Sequence, residues 1–164
     1  MDRLWSPWRM EYILASKDDP DDAGCVFCRI RDGEQEERVL ARADLAYVTL
    51  NRYPYSPGHV LVIPNRHVGE VEGLTDEETL ALQRLLQRSV AALREEYGPH
   101  GFNVGMNLGR VAGAGVPDHL HWHVVPRWSA DTSFMPVVGQ TIVLPELVEE
   151  TARRLAPRFV QERS

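Results

Sequence analysis

The sequence predicts an α+β fold with a largely antiparallel sheet. Predicted strands and helices follow the order strands, helix, strands, helix. The strands are short Val- and Leu-rich segments bounded by turn residues, and the helices repeat apolar residues every third or fourth position. The 164 residues, 43% of them hydrophobic, suit one domain with a continuous core. We expect a single domain over residues 1–164, with an N-terminal arm and acidic loop at 1–24 and a C-terminal extension at 129–164.

The predicted strands combine apolar runs with residue alternation. Two runs flank a loop at 51–58 that contains two prolines, and a third segment alternates apolar residues with smaller or polar ones, which indicates a half-buried strand. In chain order the strands are Leu45–Leu50, His59–Ile63, the alternation of Phe102, Val104, Met106 and Leu108, and His119–Val125.

Two main helices are predicted. Thr75 and Glu78 form a capping-box pattern at the start of the first helix, and Gly98 followed by proline ends it. The apolar stripe of this helix comprises Leu82, Leu85, Leu86, Val90, Leu93 and Tyr97. The second helix is expected to start near Pro145, a favourable first helical residue, and to bury Leu147, Val148, Ala152 and Leu155.

Composition and charge exclude several classes of function. A net charge of −6 disfavours an extended grip on nucleic acid, which needs a dense basic face. No segment approaches the roughly 20 apolar residues that span a bilayer, and residues 1–8 lack the apolar run of a signal peptide. We therefore expect a cytoplasmic protein without nucleic-acid or membrane partners. An acidic protein can still hold a small anion in a locally positive pocket.

Alternating histidines mark the last predicted strand. On a strand, His119, His121 and His123 would share one face, with neighbouring rings roughly 6–7 Å apart. Three interpretations follow: a solvated polar face, a metal site completed by ligands from elsewhere, or a nucleophilic site. A neutral imidazole can attack phosphorus and form a phosphoramidate that a second acceptor resolves. Flanking histidines would then stabilise the phosphate oxygens.

A pair of cysteines precedes the first strand. The spacing of Cys25 and Cys28 is that of a metal knuckle or a redox pair. Nothing nearby indicates the strand-to-helix junction of a thioredoxin-like site, and two unrelated buried thiols are a third interpretation. Zinc would need two further ligands for a closed tetrahedral site.

Three segments together resemble the histidine-triad (HIT) superfamily. Residues 119–125 are similar to its pattern of three histidines alternating with apolar residues. Residues 51–64 are similar to its loop and strand upstream of the triad, and residues 103–109 to the strand that leads into its phosphate loop. The arm at 4–9 and the tail at 128–149 most resemble the diadenosine tetraphosphate phosphorylase and hydrolase branch.

The resemblance implies a fold, a chemistry and a set of site residues. The fold would be a five-stranded HIT sheet with two main helices, expected to dimerise. His121 would be the nucleophile that forms a nucleotidyl-histidine intermediate. His123 would contact the phosphate oxygens, and His59 would help position the transferred phosphate. Asn51 falls where family members bind the ribose, and Asn107 where an amide contacts the nucleotide phosphates.

One segment departs from the family pattern. Many members carry Gly-Gln-Ser/Thr just before the triad, but here Gly115 and Val116 occupy the Gln and Ser/Thr places. Phosphate would therefore be held by backbone N–H groups of the glycine-rich loop, with Gly113 and Gly115 as the nucleotide-binding positions. Loss of the side chains also widens the pocket, which would leave room for a second phosphate-containing acceptor.

Zinc-containing HIT proteins resemble this chain in the cysteine pair, a histidine just past the Ile-Pro strand end, and the first triad histidine. The implied zinc ligands are Cys25, Cys28, His67 and His119. Such a zinc would be structural, and His119 would then be unavailable for catalysis.

The sequence favours cleavage of a dinucleoside polyphosphate, with diadenosine tetraphosphate as the expected substrate. The acceptor would be phosphate in a phosphorylase or water in a hydrolase. Two alternatives remain open at this stage. One is a nucleoside phosphoramidase that uses the same His121, and the other is a non-catalytic, zinc-stabilised nucleotide-binding protein. A homodimer is the oligomeric state that the resemblance implies.

Overall fold

One antiparallel sheet forms the centre of the protein. The computed structural model describes residues 24–129, 131 and 146–160, so residues 1–23 of the N-terminal arm and loop and most of the C-terminal extension lie outside the described residues. Within the described part, five strands pair antiparallel in the order β1-β2-β3-β5-β4, which confirms the predicted fold class. They are β1 (Val39–Arg42), β2 (Ala46–Leu50), β3 (Val60–Pro64), β4 (Gly101–Gly105) and β5 (Trp122–Arg127).

Three helices accompany the sheet in the described ranges. They are α1 (Val26–Arg31), α2 (Asp76–Tyr97) and α3 (Val148–Val160). Single 3₁₀ turns occupy Glu36–Arg38 and Val71–Gly73. Among the described residues, no helix combines the length and apolar character required to cross a bilayer.

The two faces of the sheet bury different clusters. Val60, Val62 and Val124 pack with α2 and α3 in the larger core. Leu61 and Ile63, which alternate with those valines, pack instead against α1. Because side chains alternate along a strand, His59 and His123 belong to the α1 face, opposite the two long helices.

The ends of α2 follow the sequence prediction. The Thr75 hydroxyl accepts a hydrogen bond from the Glu78 N–H at 3.2 Å, and the Glu78 carboxylate accepts from the Thr75 N–H at 2.9 Å. Gly98 caps the C-terminus in the left-handed region, with φ of 54°. The predicted capping box and glycine stop are therefore both confirmed.

The strand predicted over His119–Val125 is wrong for its first three residues. β5 begins only at Trp122. The backbone before it has other partners: the Leu120 N–H donates to the Val68 carbonyl at 2.8 Å rather than to a neighbouring strand. Simple alternation therefore does not set the directions of the His119 and His121 rings.

Two further boundary predictions need correction. β4 ends at Gly105, so Leu108 lies beyond it and is exposed rather than half-buried. Helix α3 begins at Val148, whereas Pro145 lies outside the described residues. Leu147 precedes the helix and is 75% exposed, so its predicted burial is wrong. The buried stripe of α3 is Ala152, Leu155 and Phe159, with Val148 packed at its edge.

Candidate active site and metal centre

His121 is held by a backbone carbonyl. Its Nδ1 lies 2.9 Å from the His119 carbonyl oxygen, and the side chain is buried. A carbonyl can only accept, so Nδ1 carries the proton and Nε2 keeps its lone pair. Burial lowers the pKa of His121, an effect that the bond to the His119 carbonyl partly opposes. The ring is therefore neutral near pH 7 and can act as a nucleophile through Nε2.

His59 and His123 form a hydrogen-bonded pair beside it. Their Nε2 and Nδ1 atoms lie 2.9 Å apart, and the His121 and His123 ring centroids are 5.1 Å apart. Burial, followed by the neighbouring His123 and His121, lowers the pKa of His59 to about 3, so His59 is neutral. The Tyr55 N–H donates to His59 Nδ1 at 3.1 Å.

The partners of the pair assign its protons. Since His59 Nδ1 accepts from Tyr55, its proton lies on Nε2 and is donated to His123 Nδ1. In the neutral form of His123, the remaining proton is then on Nε2. His123 can thus present an N–H donor next to the Nε2 lone pair of His121.

Asn51 adjoins the same pair from the end of β2. Its Nδ2 lies 3.4 Å from each ring nitrogen of His59. Its Oδ1 accepts from the Tyr53 N–H at 2.9 Å, which fixes the side chain. The structure therefore places Asn51 beside the catalytic candidates His59 and His123.

The glycine-rich loop folds back on Asn107. The Asn107 amide lies 3.4 Å from the Gly113 carbonyl, and Gly113 has φ of 94°. Gly115 follows in the same loop, and the next residue, Val116, packs against the α1 cluster. Asn107 and Gly113 are thus brought together in the loop that leads into the histidines.

Four predicted metal ligands meet between α1, the end of β3 and the triad. The ligand atoms of Cys25, Cys28, His67 and His119 all lie within 4.8 Å of one another. The sulfur–nitrogen distances are 3.3 Å for Cys25–His119, 3.5 Å for Cys28–His67 and 3.7 Å for Cys28–His119. Bond lengths of ordinary zinc sites imply about 3.6 Å between sulfur and nitrogen ligands at a tetrahedral angle.

The orientation of His119 also suits a metal ligand. Its Nε2 donates to the Pro64 carbonyl at 2.9 Å, which leaves the Nδ1 lone pair directed at the cysteines. Burial is the main cause that lowers the pKa of His119 to about 4. Burial, then the adjacent Cys25, raises the pKa of the Cys28 thiol. A divalent cation would stabilise both cysteines as thiolates, so the donor set fits zinc.

A family model described as the HIT domain matches residues 32–130. This range covers more than half of the chain and contains the whole sheet and all three triad histidines. The chain belongs to the HIT family.

Two relatives with named activities align with most of this chain. It is 41% identical over 168 aligned residues to an AP-4-A phosphorylase of Mycobacterium tuberculosis, covering 99% of this chain and 86% of the relative. It is 36% identical over 103 residues to an adenosine 5'-monophosphoramidase of Schizosaccharomyces pombe, covering 63% and 74% of the two chains. Among solved structures, a Zn-bound histidine triad family protein from Mycobacterium smegmatis superposes with a TM-score of 0.70 at 29% identity, covering 84% of this chain and 94% of the other.

One neighbour of the HIT histidines was missed by sequence reasoning. The Tyr55 ring stacks on His59, with centroids 4.9 Å apart and an interplanar angle of 24°. Its signal was weak: an aromatic residue four positions before a histidine, inside a loop with two prolines. Such a loop predicts a tight return of the chain, but not which side chain covers which ring.

Proposed function

We propose that this HIT protein cleaves dinucleoside polyphosphates, with diadenosine tetraphosphate as substrate, through a nucleotidyl-histidine intermediate on His121. The observation that carries the proposal is the bond from His121 Nδ1 to the His119 carbonyl, which leaves a neutral Nε2 as nucleophile. The choice of substrate is supported by the AP-4-A phosphorylase relative, whose similarity extends over 99% of this chain.

In the first step, His121 Nε2 attacks the α-phosphorus of one adenosine. A P–N bond forms, the bond to the bridging oxygen breaks, and ATP leaves with the bond electrons. His123 Nε2–H would donate to the phosphate oxygens as negative charge builds up. His59 positions His123, while Asn51 and Asn107 would contact the ribose and the phosphates. The backbone N–H of Gly115 would complete the phosphate site. The same role predicted for the Gly113 N–H is not supported, because that group donates to the Arg110 carbonyl at 3.0 Å.

In the second step, an acceptor attacks the same phosphorus and releases His121. Inorganic phosphate would give ADP, and water would give AMP. We propose phosphate as the acceptor, because the relative that matches nearly the full chain is a phosphorylase. Each AMP unit would pass through one inversion in each step, so its configuration at phosphorus would be retained overall.

We also propose a structural zinc held by Cys25, Cys28, His67 and His119. It would supply a fixed cross-link between α1 and the residues around the nucleophile, with no open coordination position. The sulfur–nitrogen separations of 3.3–3.7 Å support this assignment. His119 would then hold the metal rather than contact the substrate.

A homodimer through the β4 edge is part of the proposal. In the described sheet, β4 is an outer strand that pairs only with β5. Val104 on this strand and Leu108 just beyond it are 43% and 44% exposed. An edge strand with exposed apolar side chains favours pairing with a second copy.

The deciding experiment is product analysis with diadenosine tetraphosphate, with and without phosphate, for the wild type and His121→Asn. The proposal expects ADP plus ATP only when phosphate is present, and no turnover by the variant despite retained binding. ATP plus AMP without phosphate would instead indicate a hydrolase. Absence of turnover under both conditions, with folded and metal-loaded protein, would overturn the enzymatic assignment.

A phosphoramidase is the second candidate. Its support is the adenosine 5'-monophosphoramidase relative, which is 36% identical over 63% of this chain. An adenosine 5'-phosphoramidate substrate would separate the two. Faster release of AMP from that compound than of ATP from diadenosine tetraphosphate, in kcat/KM, would favour the second candidate.

A further inference from the structure

Tyr55 covers the paired histidines of the site. Its ring centroid lies 4.9 Å from His59 and 6.2 Å from His123, with interplanar angles of 24° and 26°. Tyr55 as a whole residue is 44% exposed, whereas His59 beneath it is 1% exposed. The ring is therefore the layer between solvent and the His59–His123 hydrogen bond.

The loop that carries Tyr55 is anchored on both sides of the ring. The Ser56 hydroxyl donates to the Pro126 carbonyl of β5 at 2.9 Å, and the His59 N–H donates to the Ser56 carbonyl at 3.2 Å. On the other side, Asn51 Oδ1 accepts from the Tyr53 N–H. These bonds hold the loop against the strand that carries His123, so the ring position does not depend on stacking alone.

We propose that Tyr55 is a positioning residue of this site: its ring keeps water away from the His59–His123 hydrogen bond, and its N–H fixes the His59 tautomer. Both contacts keep the His123 Nε2–H directed at the phosphate. The inference rests on the proposed function, in which His123 donates to the phosphate. A hydrogen bond between two neutral rings contributes little once water competes for either nitrogen.

The chemistry of the ring allows a selective test. Among the described residues, the Tyr55 hydroxyl makes no hydrogen bond, so Tyr55→Phe retains the cover and is the matched control. Tyr55→Leu keeps the main-chain N–H but removes the flat ring. Tyr55→Met serves the same purpose if the leucine variant does not fold.

The first readout is steady-state kinetics with diadenosine tetraphosphate and phosphate. Tyr55→Leu is expected to lower kcat about tenfold, a loss of roughly 1.4 kcal/mol of transition-state stabilisation, with KM little changed. Tyr55→Phe should match the wild type. A rise in KM with unchanged kcat would mean that the ring contacts substrate, and equal losses in both variants would implicate the hydroxyl. Either result overturns the positioning role.

The second readout does not depend on turnover. Nitrogen-15 NMR of the histidine rings is expected to show one His59 tautomer, with Nε2 protonated and Nδ1 unprotonated, in the wild type and in Tyr55→Phe. In Tyr55→Leu, His59 is expected to keep its tautomer because the main-chain N–H is retained, but its Nε2–H is expected to exchange faster with water, and His123 is expected to show averaged tautomers. An unchanged His59 Nε2–H exchange rate together with a single, unchanged His123 tautomer in Tyr55→Leu would overturn the inference. If no variant turns over substrate, the proposed function fails, while this spectrum still tests Tyr55.

Discussion

Gly58 occupies a position where a single methyl group should be costly. Its φ is 77°, in the left-handed region, and a Cβ built there would lie 2.8 Å from Leu93 Cδ2 and 3.4 Å from atoms of Pro126 and Tyr97. Leu93 is fully buried in the core under the sheet, so it cannot turn aside into solvent. Gly58→Ala therefore combines backbone strain with overpacking.

The magnitude follows from these two contributions. An L-residue in the left-handed region costs roughly 1–2 kcal/mol. Alanine also lowers the conformational entropy of the unfolded chain, which offsets about 0.4–1 kcal/mol of that cost. Overpacking a filled core adds about 1–3 kcal/mol. We expect Gly58→Ala to lower the free energy of unfolding by about 2–4 kcal/mol.

Gly98→Ala is the matched control for the backbone contribution. Gly98 also has positive φ, 54°, but a Cβ there meets no atom within 4 Å. The expected loss is about 1 kcal/mol. Urea unfolding of the wild type and both variants at one protein concentration measures the difference. If Gly58→Ala costs no more than Gly98→Ala, the steric reasoning at Gly58 is refuted.

Three further outcomes are expected. Hydrogen bonds from Arg66, and then from the Thr75 N–H, lower the pKa of Glu78 to about 2. Glu78→Gln should therefore be less stable than the wild type above the unfolded pKa of about 4.3. Urea titrations should show the difference in free energy of unfolding between the two proteins shrinking as pH falls towards 2. Leu155→Ala, at a fully buried position, should lower the free energy of unfolding by about 2–5 kcal/mol. Leu147→Ala, at an exposed position, should lower it by less than about 0.5 kcal/mol. Similar losses in the two variants would contradict the α3 boundary. Metal removal by a chelator should lower Tm by about 5 °C or more in the wild type but not in Cys28→Ser, and a metal-free wild type with unchanged Tm would refute the zinc assignment.

The sequence located four of the five described strands and both long helices because their signals are local, whereas β1 and α1 were not predicted. Thr75, Glu78 and Gly98 determine the ends of α2 through contacts within a few residues. The β2 and β3 boundaries differ from the prediction by a single residue at one or both ends. Leu147 was misplaced because its hydropathy resembles that of the stripe, although it precedes the helix that forms the stripe.

The candidate site was predictable only through the family resemblance. His119 lies 94 residues from Cys25, and their contact depends on the folding of the whole sheet. The spacing of the cysteines indicates a metal knuckle, but no local rule selects His67 and His119 to complete it. Tyr55 was missed for a related reason, since its stacking depends on how the loop docks onto β5.

The three triad histidines differ in which ring nitrogen already makes a hydrogen bond within the protein, and this difference gives each ring a different proposed role. In His119, Nε2 donates to the Pro64 carbonyl, so Nδ1 is the nitrogen that can bind a metal. In His121 a backbone carbonyl takes Nδ1, so Nε2 is left as a nucleophile. In His123 the bond from His59 takes Nδ1, so Nε2 is left to donate.

His119 therefore links the proposed metal site to the proposed nucleophile, because its ring faces the cysteines while its carbonyl holds the His121 ring. Alternation along a strand would have placed the three rings on one face, and the late start of β5 at Trp122 is what separates them. The order of proposed roles along the triad thus follows from the hydrogen-bond partner of each ring rather than from residue type.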